Sequence, residues 1–128
     1  MGSIWAVDVP YYIGYTSFTS MKRMFIETNE FHRGWKRLGL GEEDLRELQA
    51  YLLEHPSAGN MVQGTGGVRK LRWARSGRGK SGGARTIYID LANRETIWLI
   101  TVFGKNERAD LSAEERNEIR RFVKRIKE

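Results

Sequence analysis

Apolar and polar positions alternate in two distinct periods along this chain. MFIET, 24–28, is a short β-type run. Thr28 or Asn29 then caps a helix that carries Phe31, Trp35 and Leu38 on one face, at spacings of four and three. Gly39-Leu40-Gly41 breaks it. Glu42 to His55 predicts a second helix, with Leu45, Leu48 and Leu52 as its buried stripe. Glu42 and Glu43 suit its positive N-terminus, and Pro56 closes it. VRKLRWA, 68–74, has period two. Leu71 and Trp73 then face a core, and Lys70 and Arg72 share the other face. TIYIDL, 86–91, and TIWLITVF, 96–103, are dense in β-branched and aromatic residues and read as a central hairpin turning at Ala92–Glu95. After a polar connection, Ser112 and Glu115 form a capping box for a last helix. Ile119, Phe122, Val123 and Ile126 are its buried face, and Arg116, Arg120, Arg121, Lys124 and Lys127 are a solvated outer face.

The order β-α-α-β-β-β-α predicts an α+β fold: a small, mostly antiparallel sheet with helices packed on one face. Its other face is expected to present 68–75 and 85–105 in a shallow groove. The length of 128 residues suits one domain. Residues 1–20 have no Lys or Arg and lack the charged start and apolar run of a secretory signal. They are expected to be a peripheral or disordered extension, with Met21 or Met24 as an alternative first residue and 21–128 as the domain.

Charge changes the picture next. The chain is formally +6. The stretch Gly64–Arg85 holds seven cations, Arg69, Lys70, Arg72, Arg75, Arg78, Lys80 and Arg85, and no acid, so the remainder sums to −1. It also holds seven of the fourteen glycines. Local basicity is a footprint for a polyanion, and a sequence pI near 9.8 fits nucleic acid better than an acidic small molecule. The bland alternative is a solvated hairpin. Two nucleotide motifs fail. Gly77, Gly79 and Gly82 match GxGxxG, but a strand follows where a dinucleotide site needs a helix. Gly79-Lys80-Ser81 ends like a P-loop, but Ala74 stands where its first glycine belongs. There is no cysteine, and His32 and His55 have no metal-like spacing. Neither a cofactor nor a metal is expected, and no apolar run reaches the length of a membrane span.

The cations themselves are the candidate chemistry. Cleavage of RNA through its own 2′-hydroxyl needs a base, charge stabilisation on the phosphate and a proton for the leaving oxygen. Arginine supplies the second through fork-like hydrogen bonds. A lysine among cations can serve as base or acid. The same cluster would also serve plain RNA or DNA binding, and composition does not separate the two.

Three blocks, VQGTGGVRKLRWA, GRGKSGGARTIYI and LITVFGKNERADLS, resemble the RelE/ParE superfamily of type II toxins, closest to its HigB-like RelE branch. The resemblance spans about residues 24–127. It implies a metal-independent, ribosome-dependent endoribonuclease that cuts translated mRNA in the A site. It also implies neutralisation by an antitoxin of the DNA-binding helix-turn-helix type, and a cytoplasmic location without membrane contact. Carried over residue by residue, the catalytic set falls on Lys70, Arg72, Arg85 and Lys105. Arg69, Arg75, Arg78, Lys80 and Asn106 are the expected substrate contacts. Asn106 stands where the RelE pattern has a second arginine, and Ser112 where it has a stacking tyrosine; Trp73, Tyr88 and Phe103 are alternative stacking residues. A ParE-like gyrase inhibitor and an inert basic RNA-binding module are the competing functions.

Overall fold

The structure, a computed structural model, describes the backbone of residues 12–18 and 21 and the whole of 22–73 and 83–128. A six-stranded sheet runs in the order β1-β2-β6-β5-β4-β3. The strands are β1 (Tyr12–Phe18), β2 (Met21–Glu27), β3 (Asn60–Met61), β4 (Arg69–Trp73), β5 (Ala84–Leu91) and β6 (Thr96–Gly104). The helices are α1 (Asn29–Arg37), α2 (Glu42–Glu54) and α3 (Ala113–Lys127). All neighbours are antiparallel except β2 and β6, which run parallel. The predicted elements are present in the predicted order. Two strands were not foreseen: β1, and the two-residue β3.

The expectation that the helices pack on one face is corrected. Two separate cores form, one on each side of the sheet. Phe25, Leu71, Trp73, Tyr88, Ile97, Leu99 and Val102 pack under α1 and α2, against Phe31, Trp35, Leu48 and Leu52. Val68, Ile87, Ile89, Leu91, Trp98, Ile100 and Phe103 pack under α3, against Ile119, Phe122, Val123 and Ile126. The physical reason lies in β5 and β6, which carry apolar residues on both faces and are buried at nearly every position. Strands apolar on both sides must be covered on both sides. The open groove expected on the second face is therefore reduced to the end that α3 leaves uncovered.

Local hydrogen bonds fix the helices. Thr28 caps α1: its hydroxyl accepts from the Phe31 amide at 3.0 Å and donates to the Ile100 carbonyl, tying the helix start to β6. Trp35 Nε1 donates to Gly41 O at 3.0 Å and holds the α1–α2 turn. Ser112 and Glu115 form the foreseen capping box. Arg94 donates to the carbonyls of Ile126 and Lys127, closing the C-terminus of α3.

The edge strand β1 pairs with β2 from Tyr12↔Glu27 to Phe18↔Met21. It lies inside the stretch expected as an extension, at the periphery of the sheet but hydrogen-bonded to it. Residues 1–11 and 19–20 lie outside the described residues. Strand β2 keeps its second neighbour, β6, without β1. A chain starting at Met21 is therefore expected to fold and melt cooperatively. Loss of a cooperative thermal transition in that chain would make β1 integral to the domain.

Glu27 at the end of β2 is 2% exposed, and burial pushes its carboxyl up to about 7. His32 Nδ1 lies 3.7 Å from its Oε1, and burial, with Lys36 nearby, lowers the imidazole. The folded state thus binds the Glu27 proton more tightly than the unfolded chain. Glu27's contribution is most favourable below its ordinary value of 4.5 and is lost as pH rises through about 7. His32 acts in the opposite sense, so a difference measurement is needed. The melting temperature of Glu27→Gln should gain on wild type as pH rises from about 4.5 and level off above about 7. A gap independent of pH would show that the buried charge is not the cause.

Candidate functional site

Strand β4 turns Lys70 and Arg72 to one side because its apolar residues are claimed by the other. Leu71 and Trp73 pack under α1 and α2, where the Trp73 and Trp35 rings lie 5.5 Å apart. Period two then sends Lys70 and Arg72 to the α3 side. The β4–β5 register sets Arg72 directly opposite Arg85, with Lys70 opposite Ile87. Across β5, Arg85 stands opposite Phe103 of β6. Directly opposed side chains share a face at about 5 Å between Cβ atoms. Three of the four residues expected to be catalytic are therefore contiguous. They line a shallow depression together with Asn60 and Ala109.

A bulge completes the face. Tyr88 pairs with Leu99 and Ile87 with Thr101, so Ile100 is an extra residue in β6. Trp98 and Ile100 lie on the α3 side, and unbroken alternation would keep Val102 there. Instead Val102 packs under α1 and α2, and Phe103 faces α3 beside Arg85. The strand then ends at Gly104, opposite Ala84, and Lys105 follows it directly.

Lys105 and Asn106 are exposed in the turn after β6. Glu107 holds that turn: its carboxylate accepts from the Gly104 amide at 2.8 Å and from Arg37 Nε at 2.6 Å. The Arg37 hydrogen bond is the main reason its carboxyl titrates below the ordinary value. Arg69 is turned away from the cluster, its guanidinium donating to Gly59 O at 2.8 Å. Arg75, Arg78 and Lys80 lie outside the described residues.

The electrostatics favour an anion. Arg72 and Arg85 oppose one another, and like charges in that position destabilise a strand pair. Among the described residues neither has a carboxylate partner. An anion between the two guanidinium groups would remove the repulsion. Lys70 differs: its Nζ lies 3.1 Å from Asp110 Oδ1. Burial pushes the Asp110 carboxyl up, but the Leu111 amide and the Lys70 ammonium outweigh it and leave the group below its ordinary value.

The family model described as RelE toxin of the RelE / RelB toxin-antitoxin system matches residues 22–128. The chain belongs to the RelE toxin family. Membership implies an antitoxin partner for this RelE-family chain. Among solved structures it is similar to a free-state double arginine-to-alanine mutant of the E. coli toxin RelE. Identity is 21%, the match covers 80% of this chain and 95% of that one, and the TM-score is 0.48. Among the described residues, no helix of the RelE-family chain is long and apolar enough to cross a membrane.

The site also holds residues that the sequence reading did not single out. Arg108 lies with Cζ 4.5 Å from the centre of the Phe103 ring and donates to Glu115. Asp110 is the acid beside Lys70. Both come from the ERAD stretch between β6 and α3, whose alternating charges were the available signal. Trp73, Tyr88 and Phe103, considered as stacking residues, are 8%, 0% and 1% exposed and belong to the cores. Ser112 serves as the α3 cap.

Tyr88 has a specific structural task. Its hydroxyl donates to Pro56 O at 2.8 Å and accepts from the Gly59 amide at 3.1 Å, fixing the loop that enters β3. That loop lies close on β4: a Cβ at Gly59 would meet Lys70 O at 2.9 Å. Tyr88→Phe leaves the buried Gly59 amide unpaired and should cost about 1–3 kcal/mol of unfolding free energy. Denaturant melts check this, and an unchanged midpoint would mean that another acceptor replaces the hydroxyl.

Proposed function

We propose that the chain is the toxin of a type II toxin–antitoxin pair and cuts translated mRNA on the ribosome, acting in the cytoplasm. The observation that carries this reading is the β4–β5 register, which brings Lys70, Arg72 and Arg85 onto one uncovered patch. Family membership supports the same reading. A ParE-like gyrase inhibitor requires no such convergence.

In this reading Arg72 and Arg85 bracket the scissile phosphate. Lys70, as the neutral amine and released from its ion pair with Asp110, takes the proton of the 2′-hydroxyl as that oxygen attacks phosphorus. The bond to the 5′-oxygen breaks, and Lys105, or Lys80 from the glycine-rich stretch, supplies its proton. The products are a 2′,3′-cyclic phosphate and a free 5′-hydroxyl. The two guanidinium forks stabilise the charge that builds on the phosphate. No histidine is used, so the site depends on alignment. The ribosome supplies it by holding the mRNA in place, and alignment is worth several kcal/mol of barrier. The antitoxin acts by covering this basic patch, which would otherwise bind RNA indiscriminately at low salt.

The roles are tested at Arg85. Arg85→Ala should abolish mRNA cleavage on programmed ribosomes in single turnover while ribosome binding persists. Arg85→Lys should recover only part of the rate, because a point charge does not reproduce the fork. Wild-type cleavage by Arg85→Ala, or a loss explained wholly by weaker binding, would leave a plain binding module.

A further inference from the structure

A second depression adjoins the cation patch. It is lined by Asn60, Met61, Gln63, Lys70, Asp110 and Arg116, among others, and shares Asn60 and Lys70 with the first. The pairing Asn60↔Lys70 sets the amide of Asn60 on the same face as the lysine, at the very edge of the sheet. We infer that this depression is a base-reading subsite: it takes the nucleobase next to the phosphate held by Arg72 and Arg85, with Asn60 reading its edge.

The chemistry of the lining suits a base. An asparagine amide offers one donor and one acceptor side by side and can pair in two hydrogen bonds with a base edge. Gln63 offers a second amide. Asp110 Oδ1 and the Arg116 guanidinium add an acceptor and donors at the far wall; Arg116 already donates to Leu111 O at 3.1 Å, which holds it in place. Unstacked single-stranded bases are recognised through such edge contacts.

The platform under these groups is rigid, as a specificity site requires. Val62 N donates to Val68 O at 2.9 Å, closing the loop that follows β3. Thr65, fully buried, donates from its hydroxyl to Val62 O at 2.6 Å and accepts from the Val68 amide at 3.2 Å. Lys127 Nζ donates to Gly66 O at 2.8 Å from the end of α3. Gly64 and Gly66 adopt φ of 77° and 84°, a backbone conformation that favours glycine. An exposed loop pinned at this many points is built to hold Asn60 and Gln63 in fixed positions.

This inference rests on the proposed mRNA cleavage, and the experiment separates the two. Ribosomes are programmed with mRNAs carrying every codon in the A site, and cut ends are mapped for wild type, Asn60→Ala, Asn60→Asp and Gln63→Ala. Wild type should show a base preference. Asn60→Ala should reduce the ratio of preferred to non-preferred cleavage about tenfold, the scale of one amide–base pair. Asn60→Asp should shift the preference away from uracil and toward bases that present an amino donor, because a carboxylate only accepts. Gln63→Ala should flatten the profile in the same direction as Asn60→Ala. Identical profiles for wild type and the Asn60 variants would overturn the subsite and leave the nuclease reading intact. So would a flat wild-type profile, or complete loss of cleavage in Asn60→Ala, which would move Asn60 into the catalytic set. No cleavage by wild type at any codon would overturn both readings.

Discussion

Strands β5 and β6 carry apolar side chains on both faces, and the rest of the molecule is arranged to cover them. A helix pair, α1 and α2, seals one face and α3 seals the other. Burial of this kind is the dominant favourable term in folding a small domain. It also decides where polar groups can stand. Cations cannot lie in the middle of such a sheet without heavy desolvation cost, so they collect at the end where α3 gives no cover.

That geometric residue of packing is the site. Lys70, Arg72 and Arg85 share a face only because Leu71, Trp73 and Tyr88 are drawn into the opposite core. Their mutual repulsion is tolerated at a solvated edge, and the fold carries it without the ligand. The covered sheet beneath stiffens the backbone that carries the patch, and in the proposed reading that backbone presents Arg72 and Arg85 to a phosphate. Preorganised charge of this kind contributes most where charge develops during a reaction. The hydrogen bonds of Tyr88 and Glu107 extend the same stiffness to the loop before β3 and the turn after β6.

The sequence alone determined a good deal, for identifiable reasons. Helix caps and periodic stripes are local signals, so Thr28, the Gly39–Gly41 break and the Ser112–Glu115 box were legible at their positions. The alternation in 68–74 is also local, and it correctly separated Lys70 and Arg72 from Leu71 and Trp73. The acid-free basic stretch and the three family blocks carried the family assignment, which rests on residue identity and not on geometry.

Tertiary structure decided the rest, because the deciding interactions join distant residues. The side on which α3 packs depends on the summed apolar character of β5 and β6, and periodicity within α3 says nothing about it. Pairing register set Arg72 against Arg85, turned Arg69 toward Gly59, and brought Asn60 beside Lys70 through a two-residue strand too short to leave a pattern. Asp110 found Lys70 across forty positions, beyond any local rule. The bulge at Ile100 is the sharpest case. Nothing in TIWLITVF marks a break, yet one extra residue reverses the facing of Val102 and Phe103, because only the mismatch with β5 reveals that β6 has a residue to spare.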